Sequence, residues 1–223
     1  MIEITQISLV INAKNHNPTI LNPDFLRYNK LVPESWELAG NPVCSDLGAV
    51  VRYKEGVTIL SQPEQIIFTE ELAKKKYTDS VAPGIARQYV QLLPHVSYTA
   101  IGINPSGFYE MVSKESLEKS MLEWYVSEGP WIEFQGTRPL VSMVLRYPRK
   151  LGGIQVTMSP GNAPDSSEKK RVGIRFQGNF HHDIPGETPG ERIKSSGEIL
   201  NSWQKDIEVF LELTEKVLLA KVK

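Results

Sequence analysis

The run His181-His182-Asp183 has the most chemical character of any in this sequence. It closes a β-type segment and precedes the turn Ile184-Pro185-Gly186. Imidazoles bind transition metals and a carboxylate can complete the set, so the chemistry on offer is metal-dependent hydrolysis. Strand geometry argues against it. Adjacent residues on a strand point to opposite faces, so two neighbouring imidazoles rarely reach one metal. The remaining histidines, His16 and His95, stand at no ligand spacing from them. The competing reading is a polar surface turn.

The single cysteine, Cys44, has no histidine near it in sequence to act as a base, so a thiol nucleophile has no sequence support. As a free cysteine it is expected to be a small buried hydrophobe. One thiol makes no internal disulfide, and nothing points to an oxidising compartment. Leu151-Gly152-Gly153 lacks the Lys-Ser/Thr ending of a phosphate loop, and Gly84 lies within a helical pattern without companions. Both read as ordinary glycines, and no cofactor is expected.

Charge is more informative. Arg138, Arg146, Arg149, Lys150, Lys169, Lys170, Arg171 and Arg175 face only Asp165 and Glu168 over residues 138–175. On alternating strands Arg146, Arg171 and Arg175 fall opposite the apolar residues, beside Gln155, Thr157 and Gln177. An arginine fork binds carboxylates bidentately and keeps its charge when partly buried, so this face suits an acidic partner surface. The chain also offers its own acids in the last helix: Asp206, Glu208, Glu212 and Glu215. If those cover the arginines, the patch is structural. No aromatic side chains interleave on that face, which makes nucleic acid an unlikely partner.

The elements that would position these residues follow from periodicity. Residues 2–13 read as a strand whose alternation changes phase between Ile4 and Ile7, which signals a bulge. Residues 15–42 are broken by Pro18, Pro23 and Pro33 but carry enough apolar side chains to pack down. Strands at 47–53 and 57–60 form a hairpin around Glu55-Gly56, and 66–69 is a further strand. A helix at 79–93 is expected to be capped by Asp79, with Pro83 in its first turn. Residues 96–103 form a strand closed by Asn104-Pro105-Ser106-Gly107, and 113–126 a second helix. Strands at 140–147, 153–158 and 171–180 alternate cleanly. They predict one buried face of Val141, Met143, Leu145, Ile154, Val156, Val172, Ile174 and Phe176. The polar loop 159–170 between the last two is expected to be mobile. Residues 195–222 read as one long amphipathic helix with a Ser195/Glu198 capping box and a stripe of Leu200, Trp203, Ile207, Phe210, Thr214 and Val217.

Runs of strands with few intervening helices predict an α+β fold, an antiparallel sheet covered by amphipathic helices. The halves 1–108 and 109–223 have similar content, a sheet and a helix each, and form either two units or one compact domain. The 223 residues are 40% hydrophobic and 23% charged with a net charge of −1, ordinary for a folded protein without bulk attraction to nucleic acid or acidic membranes. No apolar run approaches the ~20 residues that cross a bilayer. The N-terminus lacks the basic and apolar regions of a signal peptide, so the expected location is the cytoplasm. The expected function is a non-catalytic binding or assembly protein acting through protein–protein contacts, either with a partner or by self-association. The alternative is a metal-dependent hydrolase using His181, His182 and Asp183.

Overall fold

The computed structural model describes residues 1–73, 75–163 and 171–220. It is α+β: nine antiparallel strands in one sheet, with helices against one face. The strands are β1 (Glu3–Lys14), β2 (Val43–Cys44), β3 (Ala49–Arg52), β4 (Val57–Gln62), β5 (Gln65–Glu71), β6 (Ser97–Glu110), β7 (Met143–Arg149), β8 (Gly152–Asn162) and β9 (Val172–Asp183). Their order in space is β2-β3-β4-β5-β1-β6-β9-β8-β7. Each long strand, β1 and β6, therefore lies beside the last strand of the meander that follows it, and the two long strands pair at the centre.

The phase change in β1 is a bulge at Thr5: Ile4 pairs with Gly107 but Gln6 with Ser106. The expected buried face is present. Ile154, Val156, Ile174 and Phe176 are buried, and Val141, Met143, Leu145 and Val172 are partly buried against them. The short helix α1 (Pro23–Tyr28) and its flanks fold down through Leu21, Leu26, Leu31 and Val32. Helix α2 (Ala82–Leu92) buries Ile85, Ala86, Tyr89 and Val90, and α3 (Lys114–Tyr125) buries Leu117 and Met121.

Four expectations need correction. Asn104-Pro105-Ser106-Gly107 is no turn; it is the middle of β6. Pro105 pairs with Ile7 of β1, while the ladder to β9 is interrupted between Ile103 and Ser106. Gly178 on β9 makes room there, since a Cβ on it would stand 2.9 Å from both Pro105 and Phe210. The division at residues 108 and 109 thus falls within a strand.

The C-terminal helix is not one long rod. It begins earlier, as α4 (Pro189–Asn201), under a capping box of Thr188 and Glu191, so Ser195 lies in its interior. It breaks at Ser202 and resumes as α5 (Trp203–Leu211). A π-helical stretch, Glu212–Leu218, follows. The Leu219 N–H donates to the Thr214 carbonyl, and the Thr214 hydroxyl donates to that of Phe210. The extra residue in this turn moves the apolar stripe on by one. Leu218 is buried where Val217 was expected, and Val217 is exposed.

Residues 159–162 are strand rather than loop, paired with Arg175 through Val172. The rest of that loop, 164–170, with Lys169 and Lys170, lies outside the described residues. Finally, Asp79 does not cap α2. Glu70 of β5 does, by accepting the N–H groups of Val81 and Ala82 at 2.7 and 3.0 Å.

Candidate functional site

The helices and the segment between β1 and β2 bury the odd-numbered residues of β1 from Ile7 to Ala13, with their partners across the sheet. The other face is open. Cross-strand pairing lines its residues into straight rows, because residues opposite each other in an antiparallel sheet share a face. One row is apolar across five strands: Val43 pairs with Val50, Val50 with Leu60, Leu60 with Ile67, and Ile67 with Val10. The row continues through Gly102, His181, Gly153 and Pro148 to the far edge. Val43 is 54% exposed, and the other four apolar members are half-buried by one another.

Two residues along each strand runs a polar row. Arg52, Thr58, Thr69, Ser8 and Asn104 are successive partners. On the other side of the centre it resumes as Asn179, Gln155 and Arg146. The side-chain oxygen of Asn104 is shielded and has no hydrogen-bond partner among the described residues. A third row follows with Glu71, Gln6, Ser106, Gln177 and Thr157. The β1 bulge opens a cavity of about 190 Å³ here, lined by Thr5, Ser106, Arg175, Gln177 and Glu71 among others. The face therefore combines one apolar strip with a broad field of hydroxyls, amides and a few charges.

The histidine run divides between the two sides of the sheet. His181 lies on the open face, its Nε2 3.3 Å from Asp183 Oδ1. His182 turns to the helix side, where Nε2 lies 2.8 Å from Oδ2 of the buried Asp206 on α5. Alternation thus separates the imidazoles. Among the described residues no three histidine, cysteine, aspartate or glutamate side chains are grouped to hold a metal ion.

The three arginines share the open side but not one cluster. Arg146 donates to Gln155 Oε1 at 2.8 Å, and Arg175 to the Asn162 carbonyl at 2.8 Å. Arg171 lies 2.9 Å from Glu3 and 3.6 Å from Glu110, with its guanidinium 5.5 Å from the Phe108 ring centre. The acids of the last helix do not supply these partners. Asp206 meets His182, Glu212 meets Lys216, and Glu215 accepts the Ile2 N–H at 2.7 Å. Cys44, expected to be buried, is exposed, because it lies on the two-residue edge strand β2 with no strand beyond it.

Two buried polar centres escaped the sequence. His16 is 3% exposed. Its Nδ1 lies 3.0 Å from the Ser61 hydroxyl and 3.3 Å from the Gln62 carbonyl, and its Nε2 2.7 Å from the Tyr89 hydroxyl. The carbonyl can only accept, so Nδ1 carries the proton and Nε2 accepts from Tyr89. Burial holds the imidazole below its ordinary pKa, opposed in part by the Gln62 carbonyl, and burial pushes the Tyr89 phenol up. Ser61 is fully buried, so this serine–histidine pair has no access to a substrate. The second centre is Glu70, also fully buried. Besides capping α2 it accepts from the Ser80 hydroxyl at 2.7 Å and meets Lys75 at 3.2 Å. The first was not legible because its partners are remote in sequence, His16 meeting Tyr89 across 73 positions, whereas the partners of Glu70 follow within 12 positions and Asp79 was the nearer cap candidate.

No protein-family model matches the chain, and no curated protein matches it either. No described helix is long and apolar enough to cross a membrane.

Proposed function

We infer that this is a non-catalytic binding or assembly protein that engages a protein partner through the open face of its sheet. The observation that carries the reading is the apolar row Val43–Val50–Leu60–Ile67–Val10, on a face that no described helix covers. A strip of aliphatic side chains rimmed by hydroxyl, amide and guanidinium groups matches the apolar core and polar rim of protein interfaces. Arg146 and Arg175 form no ion pair among the described residues, so their charges are free for an acidic partner, whereas Arg171 already has Glu3 and Glu110. The strand order supports two similar sheet–helix halves that meet where β1 pairs with β6, with the junction before β6 rather than at residues 108 and 109. The cytoplasm is the proposed place of action.

The test compares two surface variants, Leu60→Glu/Ile67→Glu and Arg175→Glu, by cross-linking mass spectrometry in extracts of the native source. The first variant should lose the partner cross-linked to the wild-type face. The second should bind more weakly, with the difference closing as added salt shortens the ~8 Å screening length. Folded variants that both keep every partner would overturn the reading.

A further inference from the structure

We propose that β7 is a pairing edge for a second copy of this chain, so that two sheets join across a two-fold axis at Leu145. This goes beyond partner binding on the open face and rests on the backbone of β7, sharing only Arg146 with that reading. The two edges of the sheet are unlike. Strand β2 is two residues long, and shortness is one way a protein blunts an edge. Strand β7 is seven residues long, and among the described residues nothing pairs beyond it.

The free backbone groups of β7 can be identified. The Ala163 N–H donates to the Arg171 carbonyl at 2.9 Å. By alternation the odd residues of β8 therefore bond to β9 and its even residues to β7. The partners of those even residues are Met143, Leu145, Tyr147 and Arg149. Val144, Arg146 and Pro148 consequently aim their backbone groups at the empty edge. Pro148 fits that assignment, since a proline is tolerated in a strand where its missing donor faces outward. Arginine and proline on an edge can also deter pairing. Here the Arg146 side chain lies over the open face on Gln155, which leaves the edge itself clear.

Only one register uses these groups well. A two-fold axis at Arg146 would set arginine against arginine. One at Tyr147 would set Arg146 against the donor-less Pro148. One at Val144 would draw in residues 139–142, which are not strand. With the axis at Leu145, Val144 exchanges both hydrogen bonds with Arg146 of the second copy, and Met143 faces Tyr147. The apolar exposure agrees. Among the described residues, four of the fourteen exposed large apolar side chains lie in β7 or within three residues of its ends: Leu140, Val144, Tyr147 and Leu151.

Light scattering on the full chain at high micromolar concentration should give twice the 25.1 kDa monomer mass. Val144→Arg, which opposes Arg146 of the second copy, should weaken association at least tenfold, and Val144→Glu should strengthen it. In a Cys44→Ser background, Leu145→Cys should cross-link to itself on oxidation, since residues on the axis face each other closely enough for a disulfide. Tyr147→Cys should cross-link only when mixed with Met143→Cys. A monomer at every concentration would overturn the proposal. So would a dimer indifferent to both Val144 variants, or one without the Leu145 cross-link. A monomer that still loses its partner on Leu60→Glu/Ile67→Glu would refute this edge and leave the open-face reading standing.

Discussion

The two ends of the sheet are built differently. In the half holding β4 and β5, inward side chains such as Ile59, Ile66 and Phe68 are wholly buried, and two polar centres tie the cover to the sheet. His16 bridges β4 to α2, and Glu70 holds the start of α2. At the β7 end, Met143 and Leu145 are only half-buried and Tyr147 is 39% exposed, although Ile154 and Val156 beside them are buried. The same alternation runs through both ends. The difference lies in what covers the apolar side, and it teaches that periodicity specifies a face without specifying how completely the face is closed. One half has its apolar side closed within the chain, while the other leaves its outermost row only partly covered.

The largest test of this contrast uses equal chemistry at unequal sites. Leu9→Ala removes a fully buried side chain of β1 and should cost about 2–5 kcal/mol in urea unfolding. Leu145→Ala on β7 should cost about 1 kcal/mol, because water already reaches its site. Similar costs would mean that the β7 end is as tightly packed as the centre. Next comes Glu70. Glu70→Ala strands two helix N–H groups and the Ser80 hydroxyl in a dry site, and should cost about 3 kcal/mol. Glu70→Gln keeps an acceptor oxygen and should restore roughly half of that. If both variants unfold at the wild-type urea midpoint, Glu70 is not what anchors α2.

The His16 centre adds a pH signature. The unfolded imidazole titrates near its ordinary value of 6.5, and burial lowers the folded value below that. Between the two values the unfolded chain binds a proton that the native state refuses. This contribution is complete above about pH 6.5 and is lost as pH falls toward the folded value, with a slope of at most ~1.4 kcal/mol per pH unit. Tyr89→Phe deprives Nε2 of its donor and should cost about 1–2 kcal/mol at pH 7.5. Its penalty should persist at pH 7.5 in high salt, since the contact is between neutral groups. Urea midpoints at pH 5.5 and 7.5 decide the matter: a His16→Gln variant with the same pH dependence as wild type would show that another group carries the proton.

Legibility followed the range of the interactions. Alternation along 153–158 and 171–180 was enough to place Val156, Ile174 and Phe176 on one covered face, and the phase change between Ile4 and Ile7 located the bulge at Thr5. Those signals are local. Pro105 read as a turn because a proline usually breaks a strand, and what lets β6 pass through is Gly178, 73 residues later. Val217 read as core because helical spacing was carried across a turn that Thr214 widens by its hydroxyl bond to Phe210. The rows on the open face depend on the register of nine strands. No property of Val43, Leu60 or Val10 alone announces that they stand in line.

The smallest expected effects separate the three arginines that charge patterning grouped together. Arg146 and Arg175 lie at the surface, each held by a neutral oxygen, and alanine at either should change stability by no more than about 0.5 kcal/mol. Arg171 is better held. Its side chain is 28% exposed, two carboxylates flank it, and its guanidinium lies over Phe108, a ring that is 2% exposed on the otherwise open side. Exposed ion pairs are each worth only about 0.2–1 kcal/mol, so solvent keeps this site modest, and Arg171→Ala should cost about 1 kcal/mol. Part of that cost comes from charge and part from covering the ring, and salt separates the parts. In 1 M salt the screening length falls to about 3 Å, so the pairing with Glu3 and Glu110 weakens while the packing on Phe108 stays. The Arg171→Ala penalty should therefore shrink without vanishing between 0.05 and 1 M NaCl. Equal penalties for all three variants at low salt would mean that the arginines act as one patch after all, and that Arg171 belongs with the binding face rather than with the fold.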